Sequence, residues 1–242
     1  MIIILATIFC DIRSNILFKY FVSIILISFI SLLLIAQPDI GQTLLVVFCW
    51  AVLIFTSGIN IYILLAIFIA GASLLAYLII FVPKFDYIQG RIFSFFNRET
   101  GTHNFQSDKA IESITSGGFF GKGIGEGVLK NRVPEAHTDY IISVISEEFG
   151  VVAIMLILLL FLILIYMVFK KISFETNDKV KLILIGSISL ILMQATIHIG
   201  VNIRLFPTTG MTLPFLSYGG SSIISTSILG GIILNLTKRK IT

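Results

Sequence analysis

The sequence predicts an all-α fold, a polytopic membrane helix bundle of about seven spans with one long loop on the outer side. Hydrophobic residues make up 57% of the 242 residues and charged residues only 12%, whereas soluble domains carry about 25% charged residues. Mean hydropathy is +1.03. The apolar residues also fall in long stretches without charge, several of them near the roughly 20 residues that a spanning helix needs. An ordinary soluble enzyme is therefore excluded.

The charge-free stretches place the predicted spans within one membrane domain over 1–242. The stretch 40–83 is long enough for two crossings, and Gly58-Ile59-Asn60 is its predicted turn, because Gly and Asn tolerate turn conformations. The last stretch begins with Pro207 and Gly210, so we expect its helix to start near Met211. The predicted spans are 1–12, 20–36, 42–57, 61–82, 148–169, 181–203 and 211–236, and the predicted loop is 84–140.

The first segment is too short to cross a membrane by itself. Asp11 and Arg13 follow it where a signal peptide would have a small-residue cleavage site. We therefore interpret it as the end of a helix or as a shallow segment. Cys10 and Cys49 lie in apolar runs and are interpreted as small hydrophobic side chains.

Basic residues orient the chain. If the spans alternate, the short connections on one side hold Arg13, Lys19, Lys170, Lys171, Lys179, Lys181, Lys238, Arg239 and Lys240. The positive-inside rule makes that side cytoplasmic and gives the loop 84–140 to the opposite, outer side of the membrane. Basic and acidic residues balance within the long loop, so the orientation depends on the short connections.

The long loop is predicted to be functional, because loops beyond about 15 residues are uncommon otherwise. Residues 108–116 are predicted to form a short amphipathic helix. The glycines between Gly117 and Gly127 predict either a backbone nest for phosphate or pyrophosphate or a flexible linker. The Gly121-Lys122 pair is followed by glycine, so the stretch is not a Walker loop.

The stretch Pro134-Glu-Ala-His-Thr-Asp-Tyr140 concentrates groups suited to acid–base chemistry. If a helix begins near Thr138, then Asp139, Ser143 and Glu147 share one face. A partly buried Asp139 could act as a general base at a hydroxyl; the alternative for the acids here is helix capping alone. Zinc is not favoured, because no two histidines have the i, i+4 spacing.

The final span contains a second unusual stretch, from Pro207 through Pro214 to Ser222. Prolines and paired glycines at membrane depth predict a broken helix, tolerated where it lines a cavity or is buried in protein. Ser217, Ser221 and Ser225 follow an i, i+4 spacing and are interpreted as a helix-packing face.

Together these stretches resemble one family. Gln37-Pro-Asp-Ile-Gly-Gln42, Ser116-Gly-Gly-Phe-Phe-Gly-Lys-Gly123, Pro134–Tyr140 and Pro214-Phe-Leu-Ser-Tyr-Gly-Gly-Ser-Ser222 are similar to the motifs of the SEDS proteins (shape, elongation, division, sporulation). Those are bacterial membrane glycosyltransferases that polymerise peptidoglycan from lipid II. The Thr212-Leu-Pro214 and Gln106–Ala110 stretches favour the division type, FtsW, over the elongation type, RodA.

The resemblance implies roles for particular residues. Asp139 would be the catalytic base. The residues implied to bind substrate or line the cavity are Asp39, Gln106, Glu135, His137 and Thr138, with Lys122, Lys130 and Arg132 as candidates for the pyrophosphate. It implies a class B penicillin-binding transpeptidase, among other division proteins, as partner. It implies no definite cofactor, and a divalent cation near the pyrophosphate is compatible with the chemistry. It also implies a bacterial inner membrane, with the loop 84–140 on the periplasmic side.

The chain departs from the family pattern in extent and in two residues. SEDS proteins have ten spans, and this chain resembles the last seven, so we expect the 242 residues alone to be inactive or nearly so. His198 and Arg204 stand where the family pattern suggests Asn or a small residue. The alternatives to a glycosyltransferase are a lipid II flippase or other transporter, whose outer face needs no general base, and an inactive truncated remnant.

Overall fold

The computed structural model describes residues 1–11, 15–96, 102–127 and 135–238, excepting the side chains at 84, 87 and 102–105. Its regular elements are all helical, as the composition predicts. They are α1 (Ile2–Cys10), α2 (Ile16–Ala36), α3 (Ile40–Thr56), α4 (Ile61–Phe81), a 3₁₀ turn (Pro83–Phe85), α5 (Asp86–Phe96), α6 (Thr102–Gly117), α7 (Ile141–Phe174), α8 (Asp178–Asn202) and α9 (Gly220–Thr237).

Five of the described helices, α2, α4, α7, α8 and α9, are long and apolar enough to cross a membrane. Helix α3 is apolar but has 17 residues, and α1 has nine. Five of the seven predicted spans therefore meet the length requirement. The chain is an integral membrane protein.

Chain contacts divide the fold into two compact units, one formed by 1–81, 165–193 and 228–242 and the other by 82–164 and 194–227. In the first unit, α2 packs on α3, and α1 contacts both. Leu5, Leu53 and Ile54 are fully buried in its core. Cys49 is buried there as predicted, and its thiol lies 3.5 Å from a backbone carbonyl oxygen of α8.

The predicted turn between α3 and α4 is present. Gly58 has a φ of 92°, a left-handed conformation that glycine adopts without a steric penalty. Asn60 then caps α4, because its side-chain oxygen accepts a 2.9 Å hydrogen bond from the Tyr62 N–H.

The second unit differs from the sequence prediction at both of its membrane segments. Helix α7 begins at Ile141, earlier than the predicted span at 148, and is broken at Gly150. Helix α9 begins at Gly220 and not near Met211, because residues 211–219 form turns that bury Met211 and Leu213. Ser217 therefore precedes the helix, while Ser221 and Ser225 are exposed, and the predicted serine packing face is wrong.

Candidate active site

Asp139 lies in a turn that precedes α7. The carbonyl oxygen of Glu135 accepts hydrogen bonds from the N–H groups of Thr138, Asp139 and Tyr140 at 3.1, 3.1 and 3.3 Å. Glu135 has a φ of 54°, which closes the chain into this turn. Helix α7 begins at Ile141, so the condition considered in the sequence analysis, a helix that begins near Thr138 and includes Asp139, is not met. Asp139 therefore does not share a helical face with the residues of α7.

The backbone of this turn is held by the segment before α9 and by the end of α8. The carbonyl oxygens of residues 137, 138 and 139 each accept one hydrogen bond from these two segments. Tyr218 N–H donates to His137 at 3.0 Å, the Ser217 hydroxyl donates to Thr138 at 2.7 Å, and the Asn202 amide donates to Asp139 at 3.0 Å.

The two donating side chains are themselves buried and fixed. Ser217 is 3% exposed and Asn202 is 0% exposed. The Ser217 oxygen also accepts a 2.8 Å bond from the Leu213 N–H, and the Asn202 amide also donates to the His198 carbonyl oxygen at 2.9 Å. Because each net hydrogen bond contributes about 1 kcal/mol and a broken buried one costs more, these contacts place the Asp139 turn firmly. We refer to Asn202, Ser217 and Tyr218 below as the backbone clamp.

A cavity of about 230 Å³ opens beside the turn. Asp139 lines it together with Arg91 of α5, Gln106 of α6 and Glu135, and Thr208 and Gly210 also line it. The cavity thus combines two carboxylates, a guanidinium and a side-chain amide within one unit of the fold.

The pKa of the Asp139 carboxyl is raised. The main cause is burial, and the nearby Glu135 carboxylate raises it further. The Arg91 guanidinium and hydrogen bonding with Thr138 act in the opposite direction and lower this pKa. A carboxylate with a raised pKa binds a proton more readily, which is the property a general base requires.

Arg91 is a site residue that the sequence analysis did not single out. Its guanidinium donates a 3.2 Å hydrogen bond to the Thr208 carbonyl oxygen and lies within electrostatic range of Asp139. In the sequence it is one of several basic residues in the long loop, and nothing local separates it from them. The sequence does contain an indication for Asn202, because a polar side chain at the end of an apolar span is often functional.

The predicted site residues divide into those that meet at the cavity and those that do not. Gln106 and Glu135 line it with Asp139, and the Thr138 hydroxyl bonds to the Glu135 carboxylate at 2.9 Å. The His137 side chain is exposed. Lys130 and Arg132 lie outside the described residues.

Asp39 has a local structural role. Its carboxylate caps α3 by accepting a 3.0 Å hydrogen bond from the Gln42 N–H. It belongs to the first of the two compact units.

Lys122, predicted as a pyrophosphate ligand, is paired within the protein. Its ammonium lies 3.1 Å from the Glu147 carboxylate and 3.1 Å from the Ser116 hydroxyl. The Glu147 side chain is 0% exposed, and its other oxygen accepts a 3.2 Å bond from Ser113. The contact gives Lys122 a structural role in holding the glycine-rich stretch against α7.

The glycine-rich stretch completes the broken helix α7. Gly150 interrupts the helix with a φ of 77°. The N–H groups of Val151 and Val152 then donate to the carbonyl oxygens of Gly118 and Phe119 at 3.0 and 3.3 Å.

Hydrogen bonds also run from the glycine-rich stretch to α7. The N–H groups of Lys122 and Gly123 donate to the carbonyl oxygens of Glu147 and Glu148 at 2.9 and 3.0 Å. A Cβ at Gly121 would stand 2.2 Å from the Glu148 oxygen, so glycine is needed for the close approach. The N–H groups of Lys122 and Gly123 are thus bonded to α7 and are not available to a phosphate.

His198 and Arg204, the two residues that depart from the family pattern, both contact other residues of the protein. His198 is 1% exposed, and its Nδ1 lies 2.7 Å from the Met211 carbonyl oxygen, to which it donates. Arg204 forms an ion pair with Asp108. Both residues therefore hold segments of the same unit that carries the cavity.

The sequence profile of one family, FtsW/RodA/SpoVE, described as "Cell cycle protein", matches residues 1–241. The chain belongs to the FtsW/RodA/SpoVE family. This confirms the resemblance to SEDS proteins that the motifs indicate.

Family relatives point to the division type. The chain is 36% identical to the probable peptidoglycan glycosyltransferase FtsW of Caulobacter vibrioides over 86% of this chain and 52% of the relative. It is 32% identical to the FtsW of Enterococcus hirae, also named a probable peptidoglycan glycosyltransferase, over 92% of this chain and 59% of the relative. The chain thus spans between half and three fifths of the length of these relatives.

Two solved structures of the family share the fold. A chain from a peptidoglycan synthase complex, described as coordinating polymerization and crosslinking, matches 98% of this chain and 67% of its own length, with a TM-score of 0.75 and 26% identity. A mutant of the Thermus thermophilus rod shape determining protein RodA matches 98% of this chain and 62% of its own, with a TM-score of 0.63 and 26% identity.

Proposed function

We propose that this chain is a peptidoglycan glycosyltransferase that polymerises lipid II into glycan strands during cell division. The observation that carries the proposal is the Asp139 carboxylate, with a raised pKa, in a cavity that also holds Arg91. The similarity to relatives named peptidoglycan glycosyltransferases supplies the substrate class.

In the proposed reaction Asp139 takes the proton from the 4-hydroxyl of the acceptor sugar. The oxygen attacks the anomeric carbon of the donor, a new C–O bond forms, and the bond from that carbon to the lipid pyrophosphate breaks. Undecaprenyl pyrophosphate leaves with the bonding electrons, and the proton on Asp139 passes to solvent. The step is a single displacement without a covalent enzyme intermediate, so the anomeric configuration inverts.

The remaining cavity residues suit the rest of this reaction. Arg91 presents a planar fork of N–H donors, the geometry that best matches the oxygens of a pyrophosphate. Gln106 can hydrogen-bond to sugar hydroxyls or amides. The backbone clamp keeps the Asp139 turn in one position, and correct placement of a catalytic group to within about 1 Å accounts for up to about 100-fold in rate.

The scheme is written with the protein's own groups. In the part of the chain that the structure describes, no three His, Cys, Asp or Glu side chains are grouped so that they could hold an ion. A divalent cation brought by the pyrophosphate itself would act as part of the substrate.

We propose that the Asp139 cavity faces the periplasm of a bacterial inner membrane, on the basis of the basic residues in the short connections. A class B penicillin-binding transpeptidase is the proposed partner, since the similar chain of known structure comes from a complex that joins polymerization with crosslinking.

Polymerisation of lipid II by the purified chain, with its transpeptidase present, tests the proposal. The chain is assayed alone and joined to the amino-terminal part of the Caulobacter relative, since the match covers only 52% of that relative. The variants are Asp139→Asn and, as control, Glu112→Gln, which removes an exposed carboxylate on α6. We expect glycan ladders from the joined wild type and from the control, and none from Asp139→Asn.

Two outcomes would contradict the proposal. Ladders that persist in Asp139→Asn would remove Asp139 from the role of base. If no ladder forms in either arm, while the chain moves labelled lipid II across vesicle membranes and Asp139→Asn does so equally well, the transporter alternative is correct.

A further inference from the structure

A second and larger cavity lies in the first compact unit, at one end of its helices. Its volume is about 630 Å³. The end of α1, the start of α2, the end of α3 and the start of α8 surround it. None of its lining residues belongs to the unit that carries Asp139.

The cavity is positively charged. Three lysines, Lys19, Lys179 and Lys181, line it against one carboxylate, that of Asp178, which gives a net charge of about +2 at neutral pH. The Lys19 ammonium is fixed by a 3.1 Å hydrogen bond to the carbonyl oxygen of Phe9. Lys181 lies 3.3 Å from Asp178, whose side chain is 81% exposed. A pair this exposed is weak, so it leaves Lys181 able to bind another anion.

The rest of the lining is amphiphilic. Thr56 and Ser57 add hydroxyl groups, and Phe9, Leu182 and Ile185 add apolar surface. A free phosphate ion needs only the polar part of such a site, whereas a phospholipid would use both parts. Basic pockets at the ends of membrane helices are characteristic sites for anionic lipid headgroups.

The position of the cavity also agrees with an anionic phospholipid as its ligand. The helix ends around it belong to the short connections whose lysines mark the predicted cytoplasmic side. Anionic phospholipids concentrate in the cytoplasmic leaflet, where each nearby lysine adds to the attraction.

We propose that this cavity binds the phosphate group of an anionic phospholipid. Lys179 and Lys181 bind the phosphate, Lys19 contributes positive charge from a fixed position, and the apolar lining contacts the start of the acyl chains. The proposal concerns a different site from Asp139, and it does not depend on the proposed transferase activity.

Native mass spectrometry of the purified chain in detergent tests the site. The probes are phosphatidylglycerol and phosphatidylcholine with the same acyl chains, and inorganic phosphate as a separate arm. The test variant is Lys179→Gln/Lys181→Gln. The matched control is Lys170→Gln/Lys238→Gln, which removes two exposed lysines that do not line the cavity.

We expect the wild type to prefer phosphatidylglycerol, and this preference to fall by about tenfold in the cavity variant because two headgroup contacts are lost. The control should stay within about twofold of the wild type, since exposed charges outside a pocket contribute little to a specific contact. Thermal unfolding of both variants checks that the fold is kept, and Asp139→Asn should bind the lipid like the wild type.

Three results would overturn the proposal. One is equal binding of the two lipids by the wild type, and another is an equal loss in the control and the cavity variant. The third is inorganic phosphate alone binding as tightly as phosphatidylglycerol and losing affinity in the cavity variant, which would identify a free anion as the ligand.

Discussion

The Ser217 hydroxyl donates a 2.7 Å hydrogen bond to the carbonyl oxygen of Thr138, the residue immediately before Asp139. The two residues are 79 positions apart in the chain. This contact explains the structural role of the Pro214–Ser222 motif in the second unit of the fold. The motif interrupts the approach to α9 so that Ser217 and Tyr218 can reach the turn that carries the candidate base.

Replacement of Ser217 by Ala should lower activity more than it changes substrate affinity. The variant leaves the Thr138 carbonyl and the Leu213 N–H without partners, which costs about 1–3 kcal/mol for each buried group. A displaced Asp139 turn should lower kcat by about ten- to a hundredfold with KM little changed. Steady-state kinetics of lipid II polymerisation, measured on the chain joined to the amino-terminal part of the Caulobacter relative, give both constants.

Two companion variants separate positioning from general destabilisation. Ser217→Thr keeps the hydroxyl and should restore most of kcat. Ser225→Ala, in which an exposed hydroxyl bonded to its own helix is removed, should leave both constants unchanged. Loss of activity in Ser225→Ala equal to that in Ser217→Ala would contradict the clamp.

The raised pKa of the Asp139 carboxyl predicts that activity increases and stability decreases as pH rises. Because the pKa of the folded carboxyl is raised, the base is protonated and activity is lost at a higher pH than for an ordinary aspartate. The same shift means that the ionised carboxyl disfavours the folded state. The protonated carboxyl stabilises the folded state. This contribution is present below the ordinary pKa of about 3.9 and is lost as pH rises through the raised pKa.

Asp139→Asn should therefore be inactive and yet at least as stable as the wild type at pH 7. Thermal unfolding from pH 4 to pH 8 measures this, and the stability difference should grow in favour of the variant as pH rises. A variant that unfolds at a clearly lower temperature at pH 7 would show that the carboxylate stabilises the fold.

Lys122 should act on stability and not on substrate affinity. Lys122→Met removes a cation that lies 3.1 Å from the buried Glu147 carboxylate, and loss of one partner of a buried ion pair costs up to about 3 kcal/mol. Lys122→Met/Glu147→Gln removes both charges and should recover part of that loss. Unfolding midpoints of the three proteins give the comparison, whereas a pyrophosphate ligand would show a raised KM at unchanged stability.

Gly121 and Gly71 should respond in opposite ways to substitution by Ala. Gly121 has a φ of 78°, and a Cβ there would meet the α7 backbone at 2.2 Å, so Gly121→Ala should destabilise by more than about 1 kcal/mol. Gly71 lies within α4 with nothing near its Cβ position. Gly71→Ala should stabilise by about 0.5–1 kcal/mol through helix propensity. Equal unfolding midpoints for the two variants would refute the docking of the glycine-rich stretch on α7.

The sequence alone predicted those features that depend on single residues or short windows. Hydropathy predicted a helical membrane protein, because the bilayer requires long apolar helices whatever their partners. Gly58 and Asn60 predicted the turn before α4, since their turn preferences are intrinsic. The motif around Asp139 indicated the family, and the cavity that the structure places beside Asp139 agrees with a catalytic position. The role of Asp139 as base stays a prediction.

The tertiary structure decided every feature that joins distant segments. The sequence left open whether Asp139 belongs to a helix, and in the structure it lies in a turn whose N–H groups donate to the carbonyl oxygen of Glu135. It suggested Lys122 as a ligand, but Glu147, 25 positions away, holds its ammonium. Composition and local pattern determine which residues enter the membrane and which bend. Which buried polar groups satisfy one another is determined only when the folded chain brings Ser217, Asn202 and Arg91 to Asp139.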